Sequence, residues 1–488
     1  MVDITKPQRT RPISNRYLTD YLADHAKTKA SEPAVIFEDQ QISWQELWWQ
    51  VETTSRFFAH ELGTGQQKVV ALLMTNSIEF VSIYLAAVHA GHIVMPVDPV
   101  YKKLEIDAII GQVGPAMIIL QDRYASQLGR HSMTVVNASE VLKKDVAENA
   151  PLLRLSPQKQ IISLTFTSGT SGAPKIVPNT HANHIWNIEV CSKVWDWTAH
   201  DSLLINLPLS HWYGLVMGLS GAIYHGNRLY LRQQSFNAKE MLEDLSSGKI
   251  SLFTHTPLGY MKMLDQAGDY DLSKVRLFIS GSAPFPPKLW HQFKKHFGVE
   301  VLETYGSSET GRIAANTPDD IKLGSPGRIL PGVDVRLSRD HEVTVRSGGL
   351  FPGYWMNPQA TKAASAEGGY WRTGDIGQLE DGRVILKGRV QERIRRFGYT
   401  ISPRDVEWAL LENPKIREVL VMGKQVAEQS NDRLTYFISG NINEDEIRQY
   451  CKANLPFSWR PDNIVILDAI PRTRNGKPKI GMLKEMAV

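Results

Sequence analysis

A chain of 488 residues with 42% hydrophobic and 22% charged side chains has apolar material for more than one packed domain. Its formal net charge of +4 is too small and too dispersed for a nucleic-acid partner, and no apolar run approaches the roughly 18 residues of a membrane span. The two cysteines, Cys191 and Cys451, lack metal spacing and fit a reducing cytoplasm, and the polar opening Met1-Val2-Asp3-Ile4-Thr5-Lys6 shows no signal-peptide pattern.

Helical and strand patterns alternate along most of the chain, which predicts an α/β architecture. Ala34-Val35-Ile36-Phe37 reads as a short strand. Ser43 caps a helix with Trp44, Leu47, Trp48 and Val51 on one face. Ser77 caps the next, through Phe80, Ile83, Tyr84 and Val88, and Gly91 stops it. Met95-Pro96-Val97-Asp98-Pro99 reads as a turn, and Val135 to Gln160 as a poorly patterned link between subdomains. Ile161-Ile162-Ser163-Leu164-Thr165-Phe166 is a buried strand. It runs into Thr167-Ser168-Gly169-Thr170-Ser171-Gly172-Ala173-Pro174-Lys175, a run of small residues closed by a lysine. Glycine lets backbone N–H groups converge on an anion, hydroxyls add donors, and Lys175 adds a point charge. The run is not the common nucleoside-triphosphate loop, because Ile176 and not Ser or Thr follows the lysine.

Leu203 to Leu207 and Val275 to Ser280 read as buried strands that end at small or polar residues, where α/β folds place ligands. Glu303-Thr304-Tyr305-Gly306-Ser307-Ser308-Glu309-Thr310-Gly311 joins an aromatic that can stack on a base to a carboxylate that can hold Mg²⁺. In Tyr370-Trp371-Arg372-Thr373-Gly374-Asp375, Asp375 can accept from two ribose hydroxyls. Asp381-Gly382 turns a hairpin between Gln378-Leu379 and Val384-Ile385-Leu386. Gly388-Arg389 opens a basic run with Arg393, Arg395 and Arg396. Beyond Lys387 to Gln391 a small α+β unit is expected. Ser402-Pro403-Arg404-Asp405 starts a helix to about Leu411, strands follow near Val419–Val421 and Leu434–Ile438, and a helix runs from Glu444 to Asn454. Pro471-Arg472-Thr473-Arg474-Asn475-Gly476-Lys477 ends in a tight turn carrying a lysine. Alone, each of these has a plain reading as a surface loop, a polar turn or a solvated basic face.

Taken in this order they resemble the adenylate-forming superfamily of acyl-CoA synthetases, aryl-CoA ligases, peptide-synthetase adenylation domains and firefly-type luciferases. Ala90-Gly91 leading to Pro96-Val97-Asp98, Pro208-Leu209-Ser210-His211 and Phe351-Pro352-Gly353-Tyr354-Trp355-Met356-Asn357-Pro358 extend the likeness over nearly the whole chain. The resemblance implies a large multi-subdomain N-terminal domain over residues 1–388, a hinge at 389–391, and a small mobile α+β lid over 392–488. It implies an acyl-AMP made from a carboxylic acid and MgATP, then transfer to a thiol. Thr167, Ser168, Gly169, Thr170, Ser171, Gly172 and Lys175 would hold the β- and γ-phosphates. Gly281, Ser282 and Ala283 would run along the adenine and the acyl group, with Tyr305 stacked on adenine beside Gly306. Ser308 would contact the α-phosphate. Glu309 would bind Mg²⁺, with Thr170 a second candidate. Asp375 and Arg389 would hold the ribose, and Lys477 would bridge the carboxylate and the α-phosphate. His211 would gate the carboxylate. Gln391 would be the hinge, and Gly398 and Tyr399 would border the pantetheine tunnel.

The chain departs from the family pattern at a few positions. Ser171 and Ser308 stand where Thr is usual, Ile176 where Gly is common, Arg395 where Lys is common, and Gln391 where Asp or Lys is usual. None removes a needed functional group, so an active enzyme is expected and not a nucleotide sensor. Trp212, Tyr213 and Met217, with Ser307, would line the acyl pocket. Their apolar character and the lack of an Asp for an α-amino group point to a neutral-tailed aryl, medium-chain or long-chain acid. CoA is the expected acceptor; a carrier-protein phosphopantetheine arm is the alternative, and the basic run could meet either. A monomer and a homodimer are equally compatible with the sequence.

Overall fold

The computed structural model describes residues 15–129, 131–144, 151–167, 175–233, 235–266, 268–425, 431–473 and 476–487. Among these, two large sheets stand side by side in the first four-fifths of the chain. The first has six strands in the order Thr134–Asn137, Met117–Leu120, Val69–Leu73, Ile93–Val97, Ile161–Phe166 and Ile176–Thr180. All neighbours in it are parallel except the last pair. The second sheet has a parallel core through Pro33–Phe37, Arg228–Leu231, Ser202–Ile205, Leu252–His255, Leu277–Ser280 and Val301–Ser307. Val301–Ser307 then changes partner. Its first half pairs in parallel with Leu277–Ser280, and its second half pairs antiparallel with Gly311–Ala315, which opens a mostly antiparallel extension. The Tyr305 motif therefore lies where one sheet type gives way to the other.

Local chemistry explains the elements that were legible. The Ser43 hydroxyl accepts from the Glu46 amide at 3.2 Å, and the Glu46 carboxylate accepts from the Ser43 amide at 2.9 Å, so a reciprocal cap starts the helix Trp44–Leu62. Ser77 accepts from the Phe80 amide at 3.1 Å at the head of Ile78–His89. That helix is buried on every side, as its nearly unbroken apolar sequence requires. Gly91 has φ +96°, and a Cβ there would meet the Leu153 carbonyl at 2.2 Å, so the stop cannot take another residue without displacing the chain.

Two expectations are corrected. Met95 to Val97 are strand and not turn: Leu72 pairs with Pro96 and Leu73 with Val97. Pro96 is tolerated because Ile93–Val97 pairs with its other neighbour, Ile161–Phe166, only at Val94 and Ser163, so the missing N–H falls where that ladder has already parted. The link from Val135 is also not patternless. Thr134–Asn137 is the edge strand of the first sheet and Asn137 caps a short helix, Ala138–Val141. Of the four strand residues only Val136 is buried, which leaves no period to see in the sequence.

The C-terminal unit has its own core of Ile394, Ile401, Val406, Leu410, Tyr436 and Ile438. Strands Ile416–Lys424, Arg433–Gly440 and Asn463–Ile466 form one sheet, with helices Pro403–Leu411 and Glu444–Asn454. Polar contacts join it to the large unit, among them Arg404 Nη1 donating to the Leu386 carbonyl at 2.9 Å and the Arg393 guanidinium donating to the Asp340 carbonyl. Arg417 pairs with Asp265 at 2.5 Å, and Lys288 Nζ donates to the Asn413 and Ile416 carbonyls at 3.0 Å each.

Candidate active site

Strands Leu252–His255, Leu277–Ser280 and Val301–Ser307 are parallel neighbours, so their carboxyl ends share one edge of the second sheet. The antiparallel extension adds Asp375 and Arg389. These two face each other across the pairing of Tyr370–Glu380 with Arg383–Arg389, whose turn is Asp381-Gly382 with φ of +48° and +75°. The Tyr305 hydroxyl donates to Asp375 Oδ2 at 2.7 Å, and Arg389 Nε lies 3.3 Å from Asp375 Oδ1. Burial and the Asp375 charge push the Tyr305 phenol well above its ordinary range, so it stays a donor.

Lys477 enters this group from the C-terminal unit. Burial lowers its pKa first and the Arg389 charge lowers it further, while Glu309 and Asp375 oppose both. Four ionisable groups from three separate segments, the Glu309 turn, the Asp375–Arg389 hairpin and the Lys477 loop, thus share one field. The lysine is held from behind. Its amide donates to Thr473 Oγ1 at 3.2 Å, and Arg472 Nη1 donates to the Gly476 carbonyl at 2.9 Å. Arg472 itself forks onto buried Glu418 with Nε at 3.1 Å and Nη2 at 3.0 Å. Gly476, at φ +76°, fits beside Thr256 and Leu258 of the large unit, where a Cβ would come within 3.1 Å of the Thr256 hydroxyl.

Glu309 Oε1 accepts from the Tyr354 hydroxyl at 2.9 Å, and Lys175 Nζ lies 4.9 Å from the centre of the Tyr354 ring. The lysine that ends the small-residue run therefore stands beside the glutamate that follows Tyr305. The neck of that run is closed by the Thr167 amide donating to the Lys175 carbonyl at 3.0 Å. Ser168, Gly169, Thr170, Ser171 and Gly172 lie outside the described residues. Ser307 and Thr310 exchange amide-to-hydroxyl hydrogen bonds at 3.1 and 3.2 Å, which holds Ser308 and Glu309 in a tight turn. Gly306 lies against Gly311, where a Cβ would meet the carbonyl at 2.2 Å. In the neighbouring loop Ser282 has φ +70°, a left-handed backbone in a non-glycine residue next to Gly281 and Ala283.

His211 is partly exposed, its Nε2 3.7 Å from buried Asp98. It precedes a π-helix, Tyr213–Ser220, a form associated with functional sites. Trp212 Nε1 donates to Asn179 Oδ1 at 3.3 Å, and the Tyr213 hydroxyl bonds the Thr254 hydroxyl. Tyr213 and Met217 line an apolar cavity of about 20 Å³ with Trp195, Ile205, Phe253 and Ile279; Trp212 and Ser307 stand outside it. A lone Arg312 is buried beside Trp212 and Tyr213. Sequence reasoning missed it, although a charged residue next to the apolar run Ile313-Ala314-Ala315 was a visible signal. Tyr354 and Glu418 were missed as well; only the structure shows what they touch.

The structure does not bring Gly398, Tyr399 or Gln391 to Lys477. Gly398 and Tyr399 sit at the tip of the hairpin Ile394–Arg396 and Tyr399–Ile401, with Tyr399 67% exposed. Gln391 lies exposed in the short helical turn Val390–Glu392 between the two units. Among the described residues no group of three metal-binding side chains occurs, and no helix is long and apolar enough to cross a membrane.

Comparison with known proteins finds a family that spans most of the chain. Residues 22–355 match the family described as AMP-binding enzyme, and residues 405–477 match the AMP-binding enzyme C-terminal domain. The 2-succinylbenzoate–CoA ligase of Listeria monocytogenes is 27% identical over 474 residues, covering 96% of this chain and 99% of that protein. The 4-coumarate–CoA ligase 1 of Narcissus pseudonarcissus is 27% identical, covering 86% of this chain and 84% of that protein. ATP-bound MatB from Rhodopseudomonas palustris has the same fold, with a TM-score of 0.88 at 23% identity, covering 97% of this chain and 99% of that one.

Proposed function

From the premise that this chain belongs to the AMP-binding enzyme family, we propose that it is an AMP-forming acid–thiol ligase using CoA. The observation that carries this reading is the convergence of Lys477, Glu309 and the Asp375–Arg389 pair from three separate segments onto one field. In the first half-reaction a carboxylate oxygen bonds to the α-phosphorus of ATP. The bond from that phosphorus to the β-bridging oxygen breaks, and pyrophosphate leaves with the electron pair. In the second half-reaction the CoA sulfur, having lost its proton, bonds to the acyl carbon, and AMP leaves.

The first step brings a carboxylate toward a polyanion, so repulsion must be offset. Lys477 supplies a positive charge between the two, held by the Arg472–Glu418 brace so that little reorganisation is needed as charge builds. Lys175 takes the β- and γ-phosphates as they become the leaving group. Tyr305 stacks on adenine. Asp375 and Arg389, facing each other across two strands, hold the ribose, and Ser308 reaches the α-phosphate. A magnesium ion carried with ATP would neutralise phosphate charge. Glu309 fits it, being a carboxylate beside Lys175 with one oxygen taken up by Tyr354. His211 would shield the carboxylate from water. Residues 1–388 form the body, 392–488 the lid, and Gln391 in the hinge 389–391 lets the lid turn.

The relatives' names cover acids as different as 2-succinylbenzoate and 4-coumarate, so they set the reaction and leave the acid open. Purified protein with MgATP, CoA and a panel of aryl, fatty and dicarboxylic acids, read by mass spectrometry, is expected to give one acyl-CoA with matching AMP. Acyl-AMP without acyl-CoA moves the acceptor to a carrier-protein thiol. No AMP with any acid overturns the reading.

A further inference from the structure

Resting on the ligase reading above, we propose that Arg312 is a specificity-determining residue that binds a second carboxylate on the acid being activated. The substrate class is then a dicarboxylic acid, alkyl or aryl in body.

Arg312 is only 3% exposed, and its Nε and Nη2 have no hydrogen-bond partner. Among the described residues no carboxylate pairs with it, and its flat face lies 4.2 Å from the Tyr213 ring centre and 5.4 Å from that of Trp212. Stacking on aromatic rings recovers only part of what a guanidinium loses on leaving water, so a buried arginine needs an anion or acceptors in its plane. The two unfilled donors are the side-on pair of the guanidinium, the pair that matches both oxygens of one carboxylate. Elsewhere in the molecule this pair is filled in just that way. Arg232 uses Nε and Nη2 on the two oxygens of Asp244 at 2.7 and 2.5 Å, and Arg276 uses them on those of Asp201 at 2.8 and 2.6 Å. Arg312 has the same fork without the protein carboxylate.

Its place fits a substrate group. A Cβ at Gly281 would come within 3.0 Å of Tyr213 and 3.2 Å of Arg312 Nη1, so the glycine loop packs directly against both side chains. The residue is anchored from its backbone, whose amide donates to Asn187 Oδ1 at 2.7 Å. It follows the Glu309 turn directly, on the strand Gly311–Ala315. An acid with two carboxylates can then present one to Lys477 while Arg312 retains the other, so only one end is activated and the product is a monothioester. The side chains Tyr213 and Met217 line the apolar cavity nearby.

The test pairs each diacid with its monoacid: butanedioate with butanoate, hexanedioate with hexanoate, benzene-1,2-dicarboxylate with benzoate. The readout is kcat/KM for acid-dependent pyrophosphate release by the full-length enzyme. One diacid is expected to exceed its monoacid by about 100-fold or more, because a buried donor pair left empty penalises the analogue that lacks the group. Arg312→Met should collapse that ratio toward one by losing the diacid, and Arg312→Lys should restore part of it. A wild-type enzyme that takes monoacids as well as diacids overturns the proposal and leaves the ligase reading standing. Pyrophosphate release with none of the acids, together with none in the wider panel, overturns both. The wild-type ratio decides the matter even if a variant fails to fold.

Discussion

The small C-terminal unit carries two loops of opposite character. The loop of Lys477 is buried against the large unit, braced by Arg472 and Glu418 and fitted beside Thr256. The hairpin tip Phe397-Gly398-Tyr399 stands in solvent, with Phe397 44% and Tyr399 67% exposed. One rigid unit cannot press both loops on one site at once. On the proposed reading this arrangement would serve acyl-AMP formation, and thioester formation would need the unit to turn, with the short turn Val390–Glu392 between the two units.

Removing the buried loop's charge breaks the comparison most severely. Lys477→Ala is expected to lower the rate of acyl-AMP formation by on the order of 10²–10³, the usual cost of deleting a preorganised charge aimed at the reacting centre. Thioester formation from preformed acyl-AMP should stay within a few-fold of wild type. Equal loss in both half-reactions would falsify the division of labour. The same lysine sets a pH limit. Burial and Arg389 place its pKa below the ordinary lysine value, so the charged form is lost at lower pH than for an exposed lysine. The alkaline limb of kcat/KM for adenylation should therefore fall early, and Lys477→Arg, which stays charged, should remove that limb whatever it does to the maximum rate.

The exposed loop gives the complementary test. Gly398 has φ +78° and a Cβ there meets nothing within 4 Å, so a larger side chain costs only the backbone strain of a left-handed residue, about 1–2 kcal/mol. If the tip borders the thiol channel after rotation, Gly398→Leu should cut thioester formation at least roughly ten-fold, as a near-attack geometry spoiled by about an ångström would. Pyrophosphate exchange should change little. Rapid-quench measurement of each half-reaction separates the two; a loss confined to adenylation would show that the hairpin acts in this pose.

How much of this was legible follows from the kind of signal each residue carries. Helix starts were readable because caps are local: Ser43, Ser77 and Ser402 bond the amide three residues on. The Asp381-Gly382 hairpin was readable because its backbone demands those residue types. The residues proposed for the site stand out as motifs, and the structure gives Tyr305, Asp375 and Arg389 direct contacts that no motif states. Pro96 misled because its composition says turn, whereas its neighbours decide strand. Arg312 escaped because its meaning is relational. A charge in a strand is ordinary until the structure shows it buried, stacked on Tyr213 and lacking a carboxylate.

The smallest effect concerns what keeps the buried loop in place. Arg417 and Asp265 join the two units by an ion pair whose side chains are 52% and 43% exposed, in high dielectric and open to salt. Such a pair is worth about 0.2–1 kcal/mol, at most a five-fold change in the balance of poses. Arg417→Ala should therefore slow acyl-AMP formation by less than about five-fold, in the direction of a less populated docked pose. If return from that pose limits the second half-reaction, thioester formation should gain by a similar factor. High salt should give the wild type the same small shift and leave the variant unmoved, because screening and deletion remove one interaction. A variant that loses both half-reactions equally would mean the contact supports folding and not the choice of pose. The Lys288 hydrogen bonds to Asn413 and Ile416 remain in either case, which is why one exposed pair can be removed without releasing the unit.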